Sequence, residues 1–140
     1  MNIFIDTNVL VDVVSMRAPF FDDSYRVFAR VAKGAGNRLL VSDLAICTMA
    51  YLVRKQMDGD SLRNVLTNLQ EHLSIVPVGP QAIADAIANF TNDFEDEVQY
   101  RSALAAHADI IVTRDMDGFV GAAIPVMTPA EFLLECGRSA

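Results

Sequence analysis

The chain has 140 residues, 52 % of them hydrophobic, with seven Gly and five Pro, which suits a single domain over 1–140 with a full core and excludes disorder and low complexity. A net charge of −7 with only 11 Lys plus Arg excludes a protein that holds nucleic acid through a broad basic face. No stretch reaches the ~18–20 apolar residues of a membrane span and no basic leader opens the chain, so no membrane association and a cytoplasmic location are expected.

In chain order, short apolar runs alternate with longer segments of helical period. The first strand is expected at Ile3-Phe4-Ile5, where Asp6 ends the apolar run and Thr7-Asn8 lead into a helix. Phe21, Tyr25, Phe28 and Ala32 recur at helical spacing and predict a helix with that stripe in the core. Gly34-Ala35-Gly36-Asn37 marks a turn before a second strand at Leu39-Leu40-Val41, after which Ser42 is placed to cap a helix. Leu62, Val65, Leu66, Leu69 and Leu73 form the stripe of the next helix, and a third strand follows at Ile75-Val76. Pro80 opens a helix carrying Ile83, Ala86, Ile87 and Phe90, and Asn92 to Glu97 opens another that runs into a fourth strand at Ile110-Ile111-Val112. Ile124-Pro125-Val126 predicts the fifth strand, and Thr128-Pro129-Ala130-Glu131 is a capping box for a last helix. Such alternation predicts an α/β fold: a mainly parallel five-stranded sheet in a three-layer α/β/α sandwich. Cys47 and Cys136 have no CxxC spacing and are expected to be buried free thiols.

In a parallel sheet every strand ends on one edge, and ligands collect in crevices there. Asp6 follows the first strand and Asp115 the fourth, so residues more than a hundred positions apart project toward that edge. Asp93, Glu95 and Asp96 open the helix that feeds the fourth strand, and its N-terminal end lies over the same edge. A plainer reading exists for each: Asp6 and Asp93 as helix N-caps, Asp96 as a first-turn acid, Asp115 as a turn cap. The set is harder to explain that way. Converging carboxylates need a shared proton or a cation, and hard oxygen donors suit Mg²⁺ or Mn²⁺. His72 and His107 read as solvated or capping, which leaves neither a zinc set nor a serine triad.

Together, Phe4-Ile5-Asp6-Thr7-Asn8-Val9-Leu10, Asp93-Phe94-Glu95-Asp96, Ile111-Val112-Thr113-Arg114-Asp115 and the terminal Pro125 to Leu133 resemble the PIN domain family over the length of the chain. The resemblance implies an α/β/α sandwich and a divalent-metal-dependent ribonuclease, often the toxin of a toxin–antitoxin pair. It implies Asp6, Asp96 and Asp115 as metal-binding catalytic acids. Where the family commonly has a glutamate in the helix after the second strand, this chain has Thr48, and Glu95 is the acid placed to substitute from the other side; Glu95 and Asp93 are further candidate metal ligands. Asn8, Thr48 and Thr113 are candidates to orient the metal ligands or a water, and Arg114 is a candidate phosphate contact.

Two functions follow from this reading. One is an endoribonuclease acting on RNA, with a homodimer and an antitoxin protein as the expected partners. The other is a non-catalytic PIN-like interaction module with a degraded metal site, motivated by Thr48 and the net acidity. Receiver domains and aspartyl-phosphate enzymes are excluded, because the former want an acidic pair after the first strand and a lysine after the fifth. The latter want a second acid where Asn8 stands.

Overall fold

The computed structural model describes residues 1–138. Five strands, β1 (Asn2–Ile5), β2 (Arg38–Ser42), β3 (Ser74–Val76), β4 (Ile110–Val112) and β5 (Val126–Met127), form one sheet of order β3-β2-β1-β4-β5. All four pairings are parallel, with Phe4 opposite both Leu40 and Ile111. Seven helices surround it: α1 (Thr7–Val14), α2 (Phe21–Lys33), α3 (Asp43–Val53), α4 (Gly59–His72), α5 (Gly79–Asn89), α6 (Phe94–Ala105) and α7 (Pro129–Arg138). A 3-10 turn spans Met116–Phe119.

The central strands are buried on both faces, as a helix-covered parallel sheet requires. Side chains alternate across the sheet, and this divides the core in two. Ile3, Ile5, Leu39, Val41, Ile110 and Val112 face Val9, Val27, Met49, Leu69 and Phe132, which places α1, α2, α3, α4 and α7 on one side. Phe4, Leu40 and Ile111 face Ala103, Ala108 and Phe119, so α6 covers the other side, with α5 packed against it. The expected three-layer sandwich is the fold. Among the described residues no helix is long and apolar enough to cross a membrane.

Local signals set several helix starts. Ser42 Oγ accepts from Ala45 N at 2.9 Å, Asp93 Oδ1 from Asp96 N at 2.9 Å, and Thr128 Oγ1 from Glu131 N at 3.2 Å. Three expectations need correction. The buried face of α2 is Ser24, Val27 and Val31, whereas Tyr25 is 53 % exposed and Ala32 lies at the surface. Smaller side chains let that helix approach the sheet, and Phe21 and Tyr25 stack on each other with ring centroids 5.5 Å apart. The last strand begins at Val126, because Pro125 has no N–H to give and joins the ladder only through its carbonyl, which accepts from Ile111 N at 3.0 Å. Both are free thiols, but Cys47 is exposed on α3, while Cys136 on α7 is half-buried and packs against the core.

Candidate metal centre

The chain runs outward from β1 through β2 to β3, then returns to place β4 on the other side of β1. This reversal leaves a crevice beyond the ends of β1 and β4, the place where open α/β sheets take their ligands. The next residues of those two strands form its floor. Asp6 N continues the ladder to Val112 O at 3.0 Å, and Thr113 N does so to Met127 O at 2.9 Å.

Asp6 is 4 % exposed and firmly oriented. Its Oδ1 accepts from Thr7 N at 2.8 Å and from Gln99 Nε2 at 3.4 Å, while Oδ2 accepts from Thr113 Oγ1 at 2.7 Å. It is thus an N-cap of α1 and something more, since a cap needs only the first of these bonds. Burial raises its pKa; the bonds from Thr113, Thr7 and Gln99 oppose that rise, and the nearby Asp115 charge adds to it.

Thr113 links the two strand ends. Its hydroxyl donates to Asp6, accepts from Asp115 N at 3.0 Å and lies 3.3 Å from Asn8 Nδ2. Asn8 Oδ1 accepts from Arg114 N at 3.2 Å. The chain after β4 is therefore held so that Asp115, itself exposed, stands at the crevice rim just before the 3-10 turn.

The third wall is the first turn of α6. Asp93 is its N-cap, Glu95 lies exposed at the rim, and Asp96 is half-buried. Asp96 has its pKa pushed up to about 7, first by burial and then by the charges of Asp6, Asp93, Asp115 and Glu95. Glu95 is raised as well, by loss of solvent and then by Asp93 and Asp6. A Cβ on Gly118 would overlap Asp96 Oδ2, so a side chain there would push this carboxylate out of its place.

The five acids singled out in the sequence thus lie near enough at this end of the sheet for Asp6, Asp93, Glu95 and Asp115 all to act on Asp96. They repel one another there, and hard oxygen donors in that state suit Mg²⁺ or Mn²⁺. Among the described residues, no three His, Cys, Asp or Glu side chains form a ready-made set for a metal ion. The donors fit by chemistry, and a cation would have to draw them inward. Thr48 sits half-buried in the second turn of α3, whose N-cap Ser42 ends the neighbouring strand β2.

Arg114 is engaged with the protein. Its Nε donates to Asp12 Oδ2, its Nη2 to Asp12 Oδ1 at 3.3 Å, and its guanidinium lies 3.9 Å from the Phe20 ring centroid. Asp12 is wholly buried and the arginine side chain 26 % exposed. Gln99 was not singled out in the sequence, although it is fully buried and bonded to Asp6. The signal was present: it lies three residues after Asp96, on the same face of the helix, a polar side chain between Val98 and the small Ser102 and Ala103.

Residues 2–117 match the family model for the PIN domain. No curated protein matches the chain in sequence. Among solved structures, a toxin–antitoxin complex from Klebsiella pneumoniae is 20 % identical with a TM-score of 0.67, covering 90 % of this chain and 96 % of that one. VapBC2 from Rickettsia felis, bound to a DNA fragment from the promoter, is 17 % identical with a TM-score of 0.66, covering 91 % and 97 %. VapC20 from Mycobacterium tuberculosis, described as a sarcin–ricin loop cleaving toxin, is 12 % identical with a TM-score of 0.62, covering 78 % and 86 %. At these identities the likeness is one of fold.

Proposed function

The chain belongs to the PIN domain family, and from that premise we propose that it is a divalent-metal-dependent endoribonuclease acting on RNA phosphodiester bonds. The observation that carries the proposal is the meeting of Asp6, Asp96 and Asp115 at the β1/β4 crevice, with Asp96 held at about 7 by burial and by its fellow acids. Asp6, Asp96 and Asp115 would hold Mg²⁺ or Mn²⁺, with Glu95 and Asp93 adding negative charge at the rim. When bound, such an ion supplies polarisation of a water nucleophile and neutralisation of charge on the phosphate.

The protein's own part is positional. Thr7 N–H and the Thr113 hydroxyl fix the plane of the Asp6 carboxylate from opposite sides. Asn8 braces Thr113 and the Arg114 backbone, and so the strand end that presents Asp115. Gly118 leaves room for Asp96. Thr48 offers a neutral hydroxyl in place of the family's common glutamate, better suited to holding a water than to binding the ion. Arg114 can meet a phosphate only with the part of its guanidinium that Asp12 leaves free. These orienting partners matter because metal ligands work from a fixed geometry.

The test is incubation of the chain with structured and single-stranded RNAs in Mg²⁺ or Mn²⁺. Cleavage that stops with chelator and in Asp96→Asn is the expected result; no metal-dependent cleavage of any RNA would refute the proposal. A role as the toxin of a toxin–antitoxin pair extends the same reading, supported by the likeness in fold to VapBC2 and to the Klebsiella pneumoniae toxin–antitoxin complex, and a small reading frame directly upstream that suppresses the chain's toxicity on co-expression tests it. A homodimer is proposed too: Ile83, Ile87, Phe90 and Phe94 are exposed around α5 and the start of α6, and two-fold dimers are the commonest oligomers. Sedimentation at micromolar concentration checks that.

A second reading, a non-catalytic PIN-like interaction module, is favoured by Thr48 and by the net charge of −7. It predicts the same fold with no metal-dependent cleavage, so the RNA panel separates the two.

A further inference from the structure

The start of α6 is in an awkward electrostatic position. It carries Asp93, Glu95 and Asp96 up to a sheet edge that already bears Asp6 and Asp115, and like charges push the helix away from the sheet. Its buried face is made of Val98, Gln99, Ser102 and Ala103, and of these Gln99 is the largest side chain. Something must hold this end of the helix down.

We propose that Gln99 is a positioning residue, a tie that fastens α6 to the ends of β1 and β2 and so sets Asp96 opposite Asp6. Its Oε1 accepts from Ser42 Oγ at 2.5 Å. Its Nε2 donates to Thr7 Oγ1 at 2.8 Å and to Asp6 Oδ1 at 3.4 Å. The Ser42 hydroxyl accepts from Ala45 N and gives its own hydrogen to the Gln99 carbonyl, which leaves the NH₂ group to donate to Thr7 Oγ1 and Asp6 Oδ1. Ser42 Oγ also accepts from Ala45 N at 2.9 Å and so caps α3, the helix that bears Thr48. One amide therefore joins the helix of Asp96, the strand end of Asp6 and the helix of Thr48.

The spacing makes the tie local to the site. Residues three apart share a helix face, so fixing Gln99 fixes the height and rotation of Asp96 above the crevice. The other side-chain anchor on this face, Ser102 Oγ to Pro77 O at 3.2 Å, lies three residues further from the acids and reaches the segment after β3. It holds the helix without facing Asp6. A metal that must draw the acids together binds most tightly when they are already near their places, and loss of such outer partners typically weakens metal affinity by about 10–100-fold.

For metal binding the inference rests on the nuclease reading, and the experiment separates the two. The parent chain, Gln99→Met, Thr7→Val and Ser102→Ala are compared by Mn²⁺ titration calorimetry and by amide hydrogen exchange of α6 without metal. Gln99→Met keeps the length and removes both bonding atoms; Thr7→Val removes the same bond from its other end. Both are expected to lower Mn²⁺ affinity, with Gln99→Met weaker by roughly 10–100-fold, and to speed exchange in the first turns of α6. The double variant should fall no further than Gln99→Met. Ser102→Ala should leave Mn²⁺ affinity at the parent value.

Parent affinity and parent exchange in a folded Gln99→Met chain would overturn the inference. If that variant does not fold, an unchanged Thr7→Val does so instead. A parent chain that binds no Mn²⁺ refutes the nuclease proposal, and the tie is then judged by exchange alone.

Discussion

Replacing Asp96 by Asn removes the charge most burdened by its surroundings while leaving the shape of the side chain nearly intact. Among the described residues the Asp96 carboxylate accepts no hydrogen bond, so the substitution breaks none. Its pKa of about 7, against an ordinary 3.8, means that the folded chain holds a proton that the unfolded chain has already released. The penalty is absent below about pH 4, where both states are protonated, and grows until Asp96 ionises near pH 7 in the folded state. Taken whole, a rise from 3.8 to about 7 equals ~4 kcal/mol. The group is only half-buried, and solvent screening reduces this to about 1–2 kcal/mol. For a chain of this size that is roughly 3–8 °C in melting temperature. Metal-free Asp96→Asn should therefore melt above the parent at pH 8 and level with it at pH 4, measured by thermal unfolding in chelator. Equal melting at pH 8, or a difference that persists at pH 4, would refute the electrostatic account of the crevice.

Four further outcomes are expected. Asp6→Asn should show no such gain at pH 8, because its NH₂ must take the place of one oxygen and face either the donors Thr7 N and Gln99 Nε2 or the donating Thr113 hydroxyl, a loss that costs about 1–3 kcal/mol and offsets the relief of charge; the same melting series checks it. Mn²⁺ binding at pH 6 should release a proton from Asp96, seen as a dependence of calorimetric heat on the buffer's ionisation enthalpy that vanishes in Asp96→Asn. Thr48→Glu should lower the metal-free melting temperature and tighten Mn²⁺ binding, since a fourth carboxylate adds both repulsion and a ligand; unchanged affinity in a folded variant would refute its alignment with the family glutamate. Arg114→Met should destabilise the fold by about 2 kcal/mol in denaturant titration, less than the ~3–5 of a fully buried pair, by leaving the buried Asp12 without its arginine.

What could be read in the chain alone was whatever its near neighbours decide. A carboxylate after Ile3-Phe4-Ile5 and N-caps at Ser42, Asp93 and Thr128 are arrangements within four residues and formed as expected; the Glu131 side chain of the capping box takes the Thr128 hydroxyl instead of its backbone N–H. Strand and helix order followed from hydrophobic period, and the common edge of a parallel sheet then brought Asp6, Asp96 and Asp115 to one crevice. The tertiary structure alone decided the rest. Of the expected α2 stripe Phe28 packs against the core, but the fully buried row is another, because Phe21, Tyr25, Phe28 and Ala32 keep a helical period as regular as that of Ser24, Val27 and Val31. Which row faces inward depends on how closely the helix approaches the sheet. Arg114 met Asp12 and Phe20, from two other segments, only once β4 lay beside β1. Gln99 looked like an ordinary polar residue until α6 closed over the ends of β1 and β2, where Ser42 from one segment and Asp6 and Thr7 from another meet its amide. Capping bonds and periodicity act within a turn or two and leave their mark on adjacent letters. A buried hydrogen bond across 57 or 93 positions leaves none, because the strand order and the close packing of helix on sheet create the partner.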